Sequence, residues 1–405
     1  MARRDRLALI LAMSCFWIAN GIYFPIFPLY LHTTRGISVG DIGTLIAFYW
    51  ILVTALQVPT GIFSDRFGRK RAFLIASAAT ASAMWFGASV AAFSLFLVQQ
   101  ALLAVGRAFF DGSLHAWAVE RLKARDAVHL TWVAKVEHQA IGVGVIIGGL
   151  VSSLIMLRSA DYTEPLWWAG AMLAIGGFLG AWLIHEAPSG APLTSADERS
   201  FAGLAKTAIA TLRASPMLRN LMYFVLAYWF SVSALWFYWP IYFEPLIGSK
   251  SFAGYFTAIF GVATVIGIVI AYRATRRGSN GLVVLRNATI IGGLGYLAIA
   301  IGAGTIAVPF AGLLIAYAAF GVFQTCRERY LNAYAPDAVR STILSCASSS
   351  AAVGVALGHF IWSRSIEHFS FFWTWLASSA FFLIVLQLII SRIRKREAQS
   401  EPPPR

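Results

Sequence analysis

The chain is dominated by apolar runs of about 20 residues with few or no charged side chains, and these runs decide what it can fold into. Residues 282–303 and 371–390 are two examples. A helix of that length, rising about 1.5 Å per residue, crosses a hydrocarbon layer roughly 30 Å thick. Lipid offers no hydrogen bonds, so only helices and closed barrels span it, and a barrel strand would alternate polar and apolar residues. These runs do not alternate, which predicts an all-α integral membrane protein.

Twelve such runs are predicted, six on either side of a polar stretch. The first six cover about 7–31, 40–63, 71–92, 94–119, 130–156 and 165–185, and the last six about 218–243, 252–272, 282–303, 305–327, 341–363 and 370–391. The pattern predicts an N-terminal six-helix bundle over 1–185, a cytoplasmic linker over 186–217, a C-terminal six-helix bundle over 218–391 and a cytoplasmic tail over 392–405.

Lysine and arginine positions predict which side of the membrane each loop occupies, because cytoplasmic loops carry an excess of both. With the N-terminus inside, nearly all of the 32 basic residues fall in inner segments. The exceptions are Arg35, Arg158, Lys250 and Arg364 in outer loops and Arg107 within a span. The net charge of +14 therefore indicates membrane orientation and not nucleic-acid binding. We predict a multi-pass protein of the bacterial inner membrane with both termini cytoplasmic.

The two halves look like copies of one another. Residues 24–27 (FPIF) near the end of the first span are echoed by residues 239–242 (WPIY) near the end of the seventh. Residues 126–131 (DAVHLT) after the fourth span are echoed by residues 337–342 (DAVRST) after the tenth. Together these matches fall at corresponding places in a six-plus-six arrangement, which predicts internal pseudo-symmetry.

The loop between predicted spans 2 and 3 carries the most specific pattern. Residues 61–71 read GIFSDRFGRKR, which resembles the signature loop of the major facilitator superfamily, G-x-x-x-D-R-x-G-R-[RK], at every defining position. The resemblance implies the major facilitator fold, with two pseudo-symmetric six-helix bundles, and a secondary transporter. In the second half, residues 272–278 keep the arginines but lack the aspartate and the first glycine.

The same resemblance gives the loop a role as a conformational latch. Glycines there permit close helix approach and a tight turn, the aspartate takes the positive end of a helix, and the arginines bind acidic partners. Glu120, at the predicted inner end of span 4, is expected to pair with Arg69. The alternatives are an ordinary basic loop and a solvated Glu120. The predicted latch residues are Gly61, Asp65, Arg66, Gly68, Arg69 and Glu120.

Three titratable residues share one face of predicted span 4. Arg107, Asp111 and His115 follow each other at four-residue spacing, so they stack along the helix. Charges inside a membrane are costly and usually face a cavity or a partner. We predict that the stripe binds substrate and passes protons, with Asp111 as the main coupling residue. The alternative is a structural Arg107–Asp111 ion pair. Glu137 in span 5 is a second candidate proton carrier, and the alternative is that it pairs with Lys135 or with a basic loop.

Uncharged side chains complete the predicted binding residues. The resemblance implies that spans 1, 4, 7 and 10 line a central cavity. On three of them, polar and aromatic candidates suit an amphipathic substrate, although aromatic residues near helix ends are also typical interfacial anchors. The candidates are Asn20, Tyr23, Tyr228, Trp236 and Gln324.

Span 5 bears on the direction of transport. Drug–proton antiporters of the superfamily carry G-x-x-x-G-P-x-x-G in this span. Here Gly144 and Gly148 match, but Gly149 replaces the proline and Ser152 replaces the last glycine. The departure weakens an antiport assignment without removing it, because glycines reproduce part of the packing role of the motif.

These features predict a proton-coupled exporter of small amphipathic compounds that works by alternating access. An uptake symporter for a polar metabolite and a non-transporting membrane sensor on the same fold remain alternatives. The three cysteines lack disulfide or metal spacing, and no nucleophile–base set is evident, so we predict no enzyme activity, no cofactor and no metal. The expected partners are a small-molecule substrate, protons and the lipid bilayer, with no nucleic acid, and the chain is expected to be a monomer.

Overall fold

The structure, a computed structural model, describes residues 3–111, 117, 127–184, 210–276, 280–302, 304–336 and 340–397. Regular secondary structure in these ranges is helical throughout. Within them, twelve segments are long and apolar enough to cross a membrane, judged by length and composition. The predicted all-α class and the predicted number of spans are therefore confirmed.

The spans are numbered in chain order. Span 1 combines Arg3–Tyr23, Phe27–Leu29 and a π-helical turn over Tyr30–Thr34, and spans 2 to 6 are Val39–Phe67, Arg69–Ser89, Phe93–Asp111, Ala127–Met156 and Glu164–Leu183. Span 7 combines Pro216–Trp236 and Trp239–Ile247, and spans 8 to 11 are Phe252–Arg276, Gly281–Ile301, Ala307–Tyr334 and Arg340–Phe369. Span 12 combines Phe371–Ala380, a π-helical segment over Phe381–Leu386 and Gln387–Glu397.

Several helices extend beyond the apolar runs from which they were predicted. Span 10 was predicted to end near residue 327, but its helix continues to Tyr334. Hydropathy marks where lipid contact ends, whereas the backbone hydrogen bonds of a helix continue into polar surroundings as long as the residues tolerate helical geometry. As a result, Arg327, the last residue of the predicted span, lies about two turns before the end of the helix.

The repeated proline motifs coincide with breaks in spans 1 and 7. Helix Arg3–Tyr23 stops before Phe27–Leu29, and Pro216–Trp236 stops before Trp239–Ile247. Pro28 and Pro240 stand in the first turn of the second helices. A proline costs no hydrogen bond there, because the first N–H groups of a helix have no partner within it. The echo therefore marks a helix break in both halves, but the aligned prolines differ in position. Pro25 lies in the turn between the two helices of span 1, whereas Pro240 lies in the first turn of the second helix of span 7.

Contacts divide the chain into two compact units, of which the first comprises Met1–Ser189 and Phe237–Val262. Within it, glycines bring spans 1 and 5 together. A Cβ on Gly144 would lie 2.6 Å from the Trp17 Cβ, and one on Gly148 would overlap the Ile18 carbonyl oxygen. Small residues of this kind let membrane helices pack backbone to backbone. The glycine pair noted in span 5 thus serves packing against span 1.

The segment Phe237–Val262 packs against span 5 in the same unit. A Cβ on Gly149 would lie 2.7 Å from the Gly254 carbonyl oxygen, so the two backbones touch. One turn further along span 5, the Ser153 hydroxyl donates to the Ser251 carbonyl oxygen over 2.7 Å. By the predicted orientation, this contact lies toward the outer end of the spans.

The second unit comprises Gly190–Trp236 and Ala263–Arg405, and its core is aromatic. The rings of Tyr228 and Phe323 stack with centroids 3.4 Å apart, and Phe382 meets Tyr228 edge-on at 5.4 Å. The indole of the fully buried Trp375 donates to the Ala234 carbonyl oxygen over 3.1 Å. Stacked and edge-on rings stabilise a core beyond the area that they bury.

Large apolar side chains cover the outward faces of both units. More than half of the surface of Leu154, Phe178, Trp182, Ile301 and Trp373 is exposed. In water each such side chain would forgo roughly 1.5–3 kcal/mol of burial free energy. In lipid the same surface carries no such cost, which fits the twelve membrane spans.

Candidate functional site

The Arg107–Asp111 pair forms the centre of the candidate site in the first unit. The Nε of Arg107 lies 3.0 Å from Asp111 Oδ2 and 3.0 Å from Oδ1. The two side chains are 26% and 34% exposed, so neither is sealed inside the helices. The structure thus brings together two of the three residues in the predicted span 4 stripe. A partly exposed carboxylate held by a guanidinium can exchange that partner for a proton.

The pair lies toward the end of span 4 that neighbours the signature loop. Thr60 of span 2 donates to the Ala108 carbonyl oxygen over 3.2 Å, and the rings of Phe63 and Phe109 lie 5.2 Å apart. Span 2 ends at Phe67, so Ala108 lies about 10 Å from that end. The charge pair therefore lies in the predicted inner half of the membrane.

Two aromatic residues beside the pair were not singled out from the sequence. The Arg107 guanidinium carbon lies 5.4 Å from the Trp17 ring centroid, within cation–π range. The Trp17 indole nitrogen is buried and has no hydrogen-bond partner in the described part of the chain. Tyr49 of span 2 interacts electrostatically with both Arg107 and Asp111. Trp17 precedes Asn20 by three residues and so shares its helix face, which the sequence could have shown. The sequence gives no such indication for Tyr49, because its approach to the charge pair depends on packing between spans.

The two candidates on span 1 are held by structural contacts. Asn20 donates through its side-chain amide to the Phe16 carbonyl oxygen, 2.8 Å away. Tyr23 is 7% exposed and interacts with the Gln100 side chain of span 4. Binding of substrate by either residue stays a prediction, and it would require these contacts to be exchanged.

Three predicted residues lack a described side chain or position. His115 and Glu120 lie outside the described residues. Glu137 belongs to the helix Ala127–Met156, but its side chain is outside the description. Their roles stay predictions.

The signature loop adopts the expected tight turn. Arg66 lies in the last turn of span 2, Arg69 begins span 3, and Gly68 separates them with φ 102° and ψ 148°. Residues with an L side chain rarely adopt this backbone conformation, which explains why the position is a glycine. The Arg66 guanidinium carbon lies 5.4 Å from the centroid of the Phe67 ring.

Asp65 and Gly61 are the other two predicted residues of the loop. Asp65 lies in the helix of span 2, with its side chain outside the description. Gly61 was expected to permit close helix approach, but an added Cβ would meet nothing within 4 Å among the described residues. Close helix approach at Gly61 therefore stays a prediction.

Tyr228 and Trp236, two candidates of the second unit, are surrounded by aromatic residues. Tyr228 is 2% exposed under its stack on Phe323, and Trp236 packs edge-on against Phe320 at 4.7 Å. Both help to line a cavity of about 10 Å³, which has room for about one water molecule and is far too small for a ligand in this conformation. The other lining residues are Val232, Leu235, Gly292, Tyr296, Ala316, Tyr317, Phe320 and Phe382.

Near the predicted outer end of the first unit, Tyr162 lies in the connection between spans 5 and 6. Burial, reinforced by the Glu244 carboxylate, raises the pKa of Tyr162 above its usual value, so the phenol stays neutral. In the same region the Lys250 ammonium donates to the Ala160 carbonyl oxygen. Within the described ranges, no group of three or more His, Cys, Asp or Glu residues could hold a metal ion.

Comparison with known proteins gives consistent matches. The family profile described as Major Facilitator Superfamily matches residues 9–326. The uncharacterized MFS-type transporter YxaM of Bacillus subtilis (strain 168) is 22% identical over 395 residues, 94% of each chain. The nucleoside transporter NupG is 14% identical with a TM-score of 0.77, covering 97% of this chain and 100% of its own. A D-xylose-proton symporter is 15% identical with a TM-score of 0.74, covering 95% and 96%.

Proposed function

Because the chain belongs to the major facilitator superfamily, we propose that it is a secondary transporter that exports small amphipathic compounds in exchange for protons by alternating access. The observation that carries the proposal is the Arg107–Asp111 pair, a partly exposed ion pair inside a membrane helix. A charge pair at this depth is costly to maintain, and in membranes such residues commonly mark ion or substrate pathways.

The pair supplies a simple coupling step. Deprotonated Asp111 holds Arg107 over 3.0 Å. Protonation removes the carboxylate charge, so a substrate that binds by donating to the deprotonated Asp111 is displaced. Proton and substrate then compete for this one carboxylate, which is the requirement for antiport. The buried Trp17 N–H, next to the Arg107 guanidinium, is a donor that we assign to the same substrate.

The latch and the packing of Phe237–Val262 suit alternating access. We assign Asp65, Arg66 and Arg69 to closure of the predicted inner end, with Glu120 as the partner carboxylate. The contacts of Gly254 and Ser251 with span 5 would close the predicted outer end. The basic loops support the orientation proposed here, with both termini in the cytoplasm and the spans in the bacterial inner membrane.

A proton-coupled uptake symporter for a polar metabolite is the second candidate. Two observations favour it: Gly149 stands where antiporters have proline, and the chain resembles in fold a nucleoside transporter and a D-xylose-proton symporter. The two candidates differ in the sign of proton movement. In antiport, protons leave the compartment that substrate enters. In symport, protons and substrate enter the same compartment.

The test uses purified protein in liposomes that enclose a pH-sensitive dye. Lipophilic cations, neutral antimicrobials, sugars and aromatic carboxylates are added in turn to wild type, Asp111→Asn and Asp41→Asn. Asp41 is an exposed carboxylate in the first turn of span 2 and serves as the matched control. We expect one class to move protons in wild type and Asp41→Asn, with the rate lowered about tenfold or more in Asp111→Asn. Unchanged proton-coupled flux in Asp111→Asn would exclude it as the coupling carboxylate.

A further inference from the structure

Span 10 carries an arginine for which the proposed transport cycle has no use. Arg327 lies about 10 Å before the end of the helix Ala307–Tyr334. Its side chain is 18% exposed. A largely buried guanidinium in a membrane helix is costly unless it is paired or faces a space where a ligand binds.

The pairing of this guanidinium is incomplete. Its Nη2 lies 3.5 Å from Glu328 Oε1, a long contact to a side chain that is 43% exposed. Its central carbon lies 5.8 Å from the Phe323 ring centroid. Its Nε is buried, and the described residues supply no acceptor for it. A guanidinium has five N–H donors in a rigid plane, so a directed donor is left unused.

A complementary orphan atom lies one turn away. Gln324 precedes Arg327 by three residues, which places the two on the same helix face. The Gln324 Oε1 is buried, and no donor reaches it from the described part of the chain. Buried polar atoms without partners are rare in folded proteins. A donor and an acceptor on one helix face, neither with a partner among the described residues, fit a ligand that presents the opposite pair.

The neighbours of this pair are aromatic. Arg327 lies over Phe323, Phe323 stacks on Tyr228, and Tyr228 lines the small aromatic cavity of about 10 Å³. The polar pair therefore borders an apolar wall within the second unit. A ligand that satisfies both has an apolar or aromatic body, an anionic oxygen group for Arg327 and a nearby hydroxyl or amine for Gln324.

We propose that Arg327 and Gln324 form an anion-recognition subsite that selects amphipathic carboxylates or phosphates as transported solutes. Arginine suits this role because its planar donors match the oxygens of carboxylate and phosphate. The inference rests on the proposed transport function and deepens it by giving the solute a negative charge. An anionic lipid headgroup presents the same chemistry, and the experiment below separates the two sources.

The experiment measures direct binding by calorimetry to the full-length protein in phosphatidylcholine nanodiscs. The probes are 4-hydroxybenzoate, phenyl phosphate and 4-hydroxybenzamide, the last being an uncharged match for the first. We expect wild type to bind the anions about tenfold or more tightly than the amide, as one charge-assisted hydrogen bond supplies. Arg327→Gln should remove this preference, and Gln324→Leu should weaken 4-hydroxybenzoate binding while keeping the preference. Arg329→Gln, at an exposed arginine of the same helix, should keep both.

Several results would overturn the inference. These are binding of neither anion by wild type, an unchanged preference in Arg327→Gln, or an equal loss in Arg329→Gln, which would indicate a bulk charge effect. If neither anion binds but phosphatidylglycerol raises the unfolding temperature of wild type and not of Arg327→Gln, the ligand is a lipid headgroup and the proposal fails. If Arg327→Gln does not fold, Arg327→Lys replaces it and should lower the preference, because a point charge lacks the planar donors.

No proton gradient enters these measurements. Loss of proton coupling with the anion preference intact would therefore contradict the proposed exchange and leave the subsite standing. Intact proton coupling with no anion preference would contradict the subsite and leave the proposed exchange standing.

Discussion

Gly61 and Gly68 belong to the same signature loop but differ in backbone conformation. Gly68 has φ 102°, and its N–H caps span 2 by donating to the Ser64 carbonyl oxygen over 3.0 Å. A side chain there forces the backbone into a strained conformation. Gly61 is helical, with no described atom within 4 Å of an added Cβ. The motif names both as glycine, while the structure requires glycine at the second.

We expect Gly68→Ala to lower the free energy of unfolding by about 1–3 kcal/mol and to slow substrate exchange, because the turn between spans 2 and 3 must relax. Gly61→Ala is the matched control. It should be neutral or stabilising by up to about 1 kcal/mol, since alanine favours the helix over glycine. Unfolding temperature in detergent and exchange rate in liposomes check both. Equal losses in the two variants would show that the backbone conformation of Gly68 is not the cause.

Residue-level prediction succeeded where the geometry is local. Asp111 and Arg107 meet as predicted because four-residue spacing on a helix fixes their distance. Arg327 was predicted as the last residue of span 10 and not as an interior one, because hydropathy, the signal used, ends before the helix does. Trp17 and Tyr49 were missed because their approach to the charge pair depends on packing between spans, which no local pattern encodes.

At the scale of elements, glycines set the distance between spans 1 and 5. Gly21, Gly144 and Gly148 meet across this crossing, and a Cβ on Gly21 would lie 2.9 Å from the Gly144 carbonyl oxygen. The sequence showed the Gly144–Gly148 spacing but not its partner helix. Similarly, it showed the proline motifs of spans 1 and 7 but not that the helices break there. Span number and approximate bounds were predictable, because each apolar run reports directly on lipid contact.

We expect Gly148→Val to destabilise the protein by about 3 kcal/mol or more, because the added side chain overlaps the Ile18 carbonyl oxygen and a helix backbone must move. The matched control is Val143→Leu, a similar enlargement at a 54% exposed position of the same helix, which should change stability by less than about 0.5 kcal/mol. Thermal unfolding of both purified variants gives the comparison. A fully stable Gly148→Val would mean that spans 1 and 5 do not pack as closely as described.

At the scale of the whole molecule, contacts group Phe237–Val262 with the first half of the chain. The predicted bundle boundaries placed these residues in the second half and did not anticipate this packing. Sequence patterns report which helices exist and which faces are apolar. They do not report which ends of the helices are in contact, since a transporter that alternates between conformations satisfies one sequence with two sets of contacts.

If the contact between span 5 and Phe237–Val262 must open during transport, joining it should stop the cycle. We expect a Ser153→Cys and Ser251→Cys pair, linked through disulfides by a short bis-methanethiosulfonate reagent, to lose nearly all flux and to regain it when the disulfides are reduced. The variant is made with Cys15, Cys326 and Cys346 replaced by serine, so that only the new thiols react. Single-cysteine variants control for modification alone. Full flux through quantitatively cross-linked protein would show that this contact is not a gate.

The crossing of Gly149 and Gly254 brings two backbones together, with only the small side chains of Ser153 and Thr257 beside them. Separating this crossing forfeits dispersion between a few atoms and the Ser153 hydrogen bond, about 1 kcal/mol. If this contact is the outer closure that we propose, so weak a contact favours open and closed forms of similar free energy. A difference of about 1.4 kcal/mol in affinity for the two forms then changes their ratio tenfold, so one bound solute or one transferred proton suffices to choose the side that opens.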